Sequence, residues 1–248
     1  MLPFNKARPL WDRWLHLAQR EVWLLVGIFV VAAGLLAFGT LAEEVIEGGT
    51  HAVDRAVLLA LRNPADPSDP LGPGWFEEMA RDVTSLGSHV ILTLITLTVI
   101  GYLVMVRKRG AALLVLASIG GGMVLSALLK RVFERSRPDL VPHAVEVYTA
   151  SFPSGHAMLS AVTYLTLGAL LTRVESGRRV KVFLLSVAVI VTVLVGASRV
   201  YLGVHWPTDV LAGWCVGATW AMLCWLVALW LQRRGQVETA GQAPPENR

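Results

Sequence analysis

Apolar residues along this chain gather in six long runs, at 22–42, 89–106, 110–129, 157–172, 182–198 and 210–232, divided by shorter polar segments. A helix rises about 1.5 Å per residue, so near 20 apolar residues cross a hydrocarbon core about 30 Å thick. The pattern predicts an all-α, polytopic membrane protein with six transmembrane helices. The fourth run is short, but its uncharged stretch begins before Ser154 and starts in the interface. The first run is longer than the apolar region of a signal peptide and leads into Glu43-Glu44 without a cleavage site, so it reads as a retained anchor. No repeat, low-complexity tract or break in composition marks a second folding unit. One domain, 1–248, is expected. It has an amphipathic start at 1–21 carrying Leu10, Trp14 and Leu17, an outer segment at 43–88 with short helices, and a disordered tail at 235–248.

The polar segments orient these spans. Lys6, Arg8, Arg13 and Arg20 precede the first run, and Arg107 to Arg109 join the second to the third. Arg173, Arg178, Arg179 and Lys181 join the fourth to the fifth, and Arg233 and Arg234 follow the sixth. With six spans all four basic segments fall on one face, which the lysine and arginine bias of short loops makes cytoplasmic. The termini are then cytoplasmic. The outer face receives 43–88, 130–155 and 199–209. In the first of these, 53–61 predicts a short amphipathic helix and Trp75-Phe76 an interfacial contact, although a plain connecting loop fits as well.

Composition narrows the class. Apolar residues make up 54% of the chain and charged ones 16%, which excludes an ordinary soluble globule. A net charge of +4 does not imply nucleic acid, because the basic residues lie in short clusters between apolar runs. Cys215 and Cys224, nine residues apart on one helix, are too distant to bridge and read as packing residues. Gly120-Gly121-Gly122 predicts close approach of a neighbouring helix. Trp206 and Trp230 are expected as interfacial anchors at opposite ends of the sixth span, with Trp220 packed against another helix.

Three polar clusters border the apolar runs: Lys130 with Arg137-Pro138, Pro153-Ser154-Gly155-His156, and Ser198-Arg199 with His205 and Asp209. A cation near mid-membrane costs roughly 2.5–3.5 kcal/mol or more without a partner, so Lys130, Arg137 and Arg199 ask for a function. Arg131 and Arg135 read instead as side chains snorkelling to headgroups. Phosphoryl transfer spreads negative charge over equatorial oxygens and needs preorganised positive charge and N–H donors. Arg137 and Arg199 supply forked donors, Lys130 a point charge, and Ser154 and Gly155 a hydroxyl and amides at a helix start. Glu134, Asp139, Glu146 and Asp209 form no recognisable metal-binding array, so no metal and no other cofactor is expected. His205, with Asp209 four residues on, suits a nucleophile whose tautomer a carboxylate fixes, and His156 suits a general acid.

Together these positions resemble the three-part signature of the type 2 phosphatidic acid phosphatase (PAP2) superfamily, which also holds soluble acid phosphatases and vanadium haloperoxidases. All eleven signature positions are occupied without substitution. The resemblance implies a PAP2/haloperoxidase-like helical core in which His205 becomes phosphorylated, Asp209 supports it, and His156 protonates the leaving group and then activates water. Lys130, Arg137, Ser154, Gly155 and Arg199 hold the phosphate. It further implies a lipid phosphate phosphatase acting on phosphatidate, phosphatidylglycerophosphate, undecaprenyl diphosphate or a related lipid. A phosphotransferase using the same phosphohistidine, or a non-catalytic lipid transporter, remains open. The expected partners are the lipid substrate and membrane lipids, with no nucleic acid. Size and loop economy point to a bacterial inner membrane, with the site on its outer face.

Overall fold

The structure is a computed structural model and describes residues 8–141 and 149–234. The tail at 235–248, Glu146 and the side chains of the amphipathic start lie outside the described residues. Eight helices follow in order: α1 (Arg8–Glu47), α2 (His51–Ala60), α3 (Gly74–Ser85), α4 (His89–Met105), α5 (Arg109–Phe133), α6 (Gly155–Val174), α7 (Arg178–Tyr201) and α8 (Pro207–Arg233). Among the described residues five stretches are long and apolar enough to cross a membrane: Leu24–Glu47, Arg109–Phe133, Gly155–Val174, Arg178–Tyr201 and Pro207–Gln232. The second expected span differs. Its helix, α4, has 17 residues, about 25 Å of rise, and qualifies only together with α3, from which it is bent by 45°.

Helix α6 is the centre of the bundle, flanked by α4, α5, α7 and α8, while α1 lies against α8. Its first turns, from Gly155 to Thr163, are buried almost without interruption. Small residues let the helices approach: a Cβ on Gly217 would sit 2.5 Å from the Met158 carbonyl, and one on Gly213 2.7 Å from that of Ser154. The glycine triplet of α5 is only partly used. Gly121 faces Trp220 and Gly122 faces Val162, but a Cβ on Gly120 would meet nothing within 4 Å. Large apolar side chains point outward instead, Phe29, Val90 and Met105 each being more than two-thirds exposed. On a chain with these spans such a surface faces acyl chains.

Residues 43–88 fold over one end of the bundle. The expected short helices are α2 and α3, and between them a small antiparallel pair, β1 (Arg62–Asn63) and β2 (Asp66–Pro70), forms a hairpin on the otherwise helical fold. Local side-chain bonds close this hairpin: Asn63 Oδ1 accepts from the Ala65 amide at 3.1 Å, and Asp66 Oδ1 from that of Ser68 at 2.9 Å. Arg62 then anchors it, donating to the Tyr201 carbonyl at 2.8 Å, while the Tyr201 hydroxyl donates to the Leu71 carbonyl at 3.0 Å. Phe76 of α3 packs edge-on against Tyr201, at 5.0 Å between ring centroids. Trp75 beside it is 67% exposed, so of the Trp75-Phe76 pair only the first faces outward.

Candidate active site

The three polar clusters meet at the end of the bundle that 43–88 covers. Lys130 lies in the last turn of α5 and Arg137 in the connection that follows; Ser154 caps α6, which Gly155 and His156 begin. Arg199 lies in the last turn of α7, and Asp209 in the first turn of α8. Two reversals bring them together. Glu134 takes a left-handed conformation, φ 43°, which ends α5 and turns the next residues aside. Gly203, at φ 74°, closes α7: its amide bonds the Val200 carbonyl at 3.0 Å and that of Val204 the Arg199 carbonyl at 3.2 Å. That paired closure needs a left-handed residue, which glycine supplies without steric cost. It delivers His205 directly into the site.

His205 is buried, at 1% exposure, and both ring nitrogens have partners. Arg137 Nη1 lies 3.2 Å from Nε2, and Asp209 Oδ2 lies 3.4 Å from Nδ1. A guanidinium only donates, so Nε2 must accept, and in a neutral ring the proton then sits on Nδ1, toward the carboxylate. Burial, more than any neighbour, pulls this imidazole down to about 3; Asp209 pulls the other way, and Arg137 and Arg199 add to the fall. The ring is therefore neutral at ordinary pH, with the Nε2 lone pair on the cationic side. Asp209 is held independently of it. Its Oδ2 also accepts from the Trp206 amide at 2.9 Å and from the Ser151 hydroxyl, and its own carbonyl accepts the Ser154 amide at 2.9 Å.

Around this pair stand donors with capacity to spare. Arg137 Nε donates to the Thr149 carbonyl at 2.8 Å and Nη1 to that of Val204 at 2.7 Å, which fixes its fork. Lys130 donates to the Ala150 carbonyl and passes beside Gly155, its Cε 3.4 Å from where a Cβ there would lie. Arg199 is 4% exposed and donates to Thr84 Oγ1 of α3 at 3.2 Å. The Arg199 Nε and Ser154 Oγ are buried without a protein partner. Buried polar atoms of this kind are rare and ask for an acceptor. His156 lies within electrostatic reach of Lys130, Arg199 and His205, and its ring is 6.5 Å from that of exposed His89. The eight predicted site residues thus share one locus. Among the described residues no three His, Cys, Asp or Glu side chains are grouped as metal ligands.

Four side chains at this site escaped the sequence reading. Arg135 is not a snorkelling residue: it is 9% exposed and pairs with Asp209 at 2.6 Å and Asp54 at 2.8 Å. Asp54, on α2, is fully buried and accepts the Thr208 amide at 3.0 Å and the Thr208 hydroxyl at 2.7 Å. The third is Thr208 itself, and the fourth is Ser151, whose hydroxyl donates to Asp209 Oδ2 and lies 3.3 Å from Nδ1 of His205. A lone aspartate in the apolar stretch of α2 was the available signal, because an unpaired buried carboxylate is untenable. Trp206 is likewise not an interfacial anchor. It is 8% exposed, donates to the Ser136 carbonyl at 3.1 Å and lies under Arg135 at 5.7 Å. Trp230, half exposed with Arg234 at 4.0 Å over its ring, and Trp220, bonded to the Ser118 carbonyl at 2.7 Å, are placed as expected.

The sequence pattern of the family described as PAP2 superfamily matches residues 111–233. Phosphatidylglycerophosphatase B of Bacillus subtilis (strain 168) is 32% identical over 184 residues, 74% of this chain and 85% of that one. Decaprenylphosphoryl-5-phosphoribose phosphatase of Mycobacterium tuberculosis (strain CDC 1551 / Oshkosh) is 36% identical over 143 residues, 56% and 73% of the two chains. The crystal structure of a transmembrane PAP2 type phosphatidylglycerolphosphate phosphatase from Bacillus subtilis superimposes with a TM-score of 0.69 at 30% identity, over 82% of this chain and 98% of that one.

Proposed function

The chain belongs to the PAP2 superfamily, and from that premise we propose that it is a metal-independent lipid phosphate phosphatase working through a phosphohistidine at His205. The observation that carries this reading is the tautomer: Arg137 at Nε2 and Asp209 at Nδ1 leave the Nε2 lone pair on the side of the cations. In the first step Nε2 attacks phosphorus, the bond from phosphorus to the lipid-side oxygen breaks, and His156 gives that oxygen a proton. The phosphorylated ring keeps its proton on Nδ1 and becomes cationic. The contact to Asp209, loose at 3.4 Å, then gains charge on both sides and tightens. In the second step His156, now neutral, takes a proton from water. The oxygen bonds phosphorus, the N–P bond breaks, and phosphate and neutral His205 are restored.

Lys130, Arg137 and Arg199, with the Ser154 hydroxyl and the first amides of α6, hold the equatorial oxygens throughout. The unpartnered Arg199 Nε and Ser154 Oγ fit such an acceptor. Placement supports a lipid substrate, since the site lies at the ends of spanning helices, at headgroup depth. Two relatives named above act on a phosphate carried by a lipid, which favours a monoester such as phosphatidylglycerophosphate, with phosphatidate and undecaprenyl diphosphate in the same class. The basic connections at the far end of the bundle favour an outer-face site in a bacterial inner membrane.

Phosphate release by detergent-purified protein in excess EDTA tests this, wild type beside His205→Asn, on those three lipids. Wild-type release with loss of at least about 1,000-fold in the variant is expected. Loss of wild-type turnover in EDTA contradicts metal independence. Transfer of the phosphate to an added lipid hydroxyl in place of free phosphate makes the enzyme a phosphotransferase.

A further inference from the structure

The chemistry above uses Asp209 but leaves Asp54 and Arg135 unexplained. Asp54 is 0% exposed, although it belongs to α2 of the covering segment and not to the bundle. Its Oδ1 accepts the Thr208 amide at 3.0 Å, and its Oδ2 accepts the Thr208 hydroxyl at 2.7 Å and Arg135 Nη2 at 2.8 Å. Arg135 Nη1 reaches the other way, to Asp209 Oδ1 at 2.6 Å and to Thr208 Oγ1 at 2.8 Å. One guanidinium is thus divided between two buried carboxylates, one of which faces the ring of His205.

The division has two consequences. Arg135 takes Oδ1 of Asp209, so the rotation of that carboxylate is fixed with Oδ2 toward Nδ1 of His205, beside the Ser151 hydroxyl at 3.3 Å from the same nitrogen. Asp54, by holding the second arm of the fork, limits how much positive charge Asp209 feels. A cation given wholly to Asp209 competes with the imidazolium that forms when Nε2 is bonded to phosphorus. A cation removed altogether leaves two buried carboxylates, Asp54 and Asp209, repelling each other through Thr208.

We propose that Asp54 and Arg135 are positioning residues for phosphoryl transfer, acting on His205 through Asp209, and that this is a function of the covering segment 43–88. The proposal rests on His205 as the nucleophile. It separates two jobs within one site: the network governs the transfer step, whereas Lys130, Arg137 and Arg199 govern phosphate binding.

The experiment uses full-length Asp54→Asn and Arg135→Lys, purified in detergent beside wild type and His205→Asn. Turnover is measured on the lipid phosphate that the wild type hydrolyses fastest, with inorganic phosphate as competitive inhibitor. We expect kcat to fall about 10- to 100-fold in both variants, a typical loss when a group orienting a reactive residue is removed. The phosphate inhibition constant should stay within about threefold of wild type, because the three binding cations are untouched. A folded variant of either kind with kcat within about twofold of wild type overturns the proposal. So does an inhibition constant that rises as much as kcat falls, which makes the network part of the phosphate cradle. Failure of both variants to fold overturns it too, by making the network a requirement of the scaffold. His205→Asn keeps the two levels apart: if it retains wild-type turnover the nucleophile assignment itself fails, whatever the other variants do.

Discussion

Two histidines at one site, His205 and His156, differ in the partners that fix them. His205 is clamped at both nitrogens, by Arg137 and by Asp209, and the covalent role proposed for it rests on which nitrogen is left to accept. Among the described residues no carboxylate acts on His156, whereas the cations Lys130 and Arg199 lie within its electrostatic reach. A bound phosphate dianion supplies the counter-charge with which His156 can carry a proton there, and the proton then passes to the departing oxygen. His156→Ala should therefore cost least where the leaving group needs no proton. On a lipid phosphate the variant should lose about 100- to 10,000-fold in kcat/KM, and on an aryl phosphate with an acidic phenol about tenfold or less. Equal losses on both substrates would deny His156 the acid role. At this scale the sequence was most informative, because the lysine, arginine, serine, histidine and aspartate positions are spaced by motif. Arg135 was not readable in that way. Two residues from Arg137, it looks like one more boundary cation, and only the buried Asp54 from a segment 81 residues away shows its use.

Helices α6 and α8 must lie close for Ser154 and Asp209 to share a hydrogen bond between their backbones. Glycines at 213 and 217 permit this, and their side of α8 offers no room for a methyl group: a Cβ on Gly217 would meet the Met158 carbonyl at 2.5 Å and Ala161 Cβ at 2.7 Å. Gly217→Ala should destabilise the protein by about 1–3 kcal/mol, the usual cost of overpacking, and lower its thermal midpoint in detergent. Gly120→Ala, whose Cβ would meet nothing within 4 Å, serves as the control and should leave the midpoint unchanged or raise it, as an alanine does in an open helix position. A midpoint that shifts equally in both would contradict the packing assigned to α8. Most elements were legible because length and hydropathy dictate a spanning helix. The exceptions have physical causes. Helix α4 falls short of a span by itself, and the hairpin of residues 62–70 is built from aspartate, proline and serine, which carry no strand signal and pair here through local turns.

For the whole molecule, the site makes a distinct contribution to stability against pH. His205 is depressed to about 3 in the folded protein by burial, while in the unfolded chain it titrates near its ordinary value of 6.5. Between those values the unfolded state binds the extra proton, so its contribution is intact above about pH 6.5 and is lost as pH falls toward 3. The loss amounts to about 1.4 kcal/mol for each pH unit inside that window. The thermal midpoint of the wild type should fall more steeply than that of His205→Asn between pH 6.5 and 4. Parallel curves would contradict a neutral, buried His205. The overall arrangement of spans with one polar end was readable from the alternation of apolar runs and basic connections. How 43–88 closes over that end was not, since Asp54 and Thr84 reach Arg135 and Arg199 only through the tertiary fold.

In the proposed reaction phosphorus passes through Nε2 of His205. The most direct measurement is rapid quenching of a single turnover on a lipid carrying a radioactive terminal phosphate, followed by a test of the labelled protein in acid and in alkali. A transient label is expected on the wild type that acid removes and alkali spares, as an N–P bond requires, and none on His205→Asn. A label of unchanged amount on His205→Asn, or turnover of the wild type with no labelled protein at any time point, would contradict the proposed reaction.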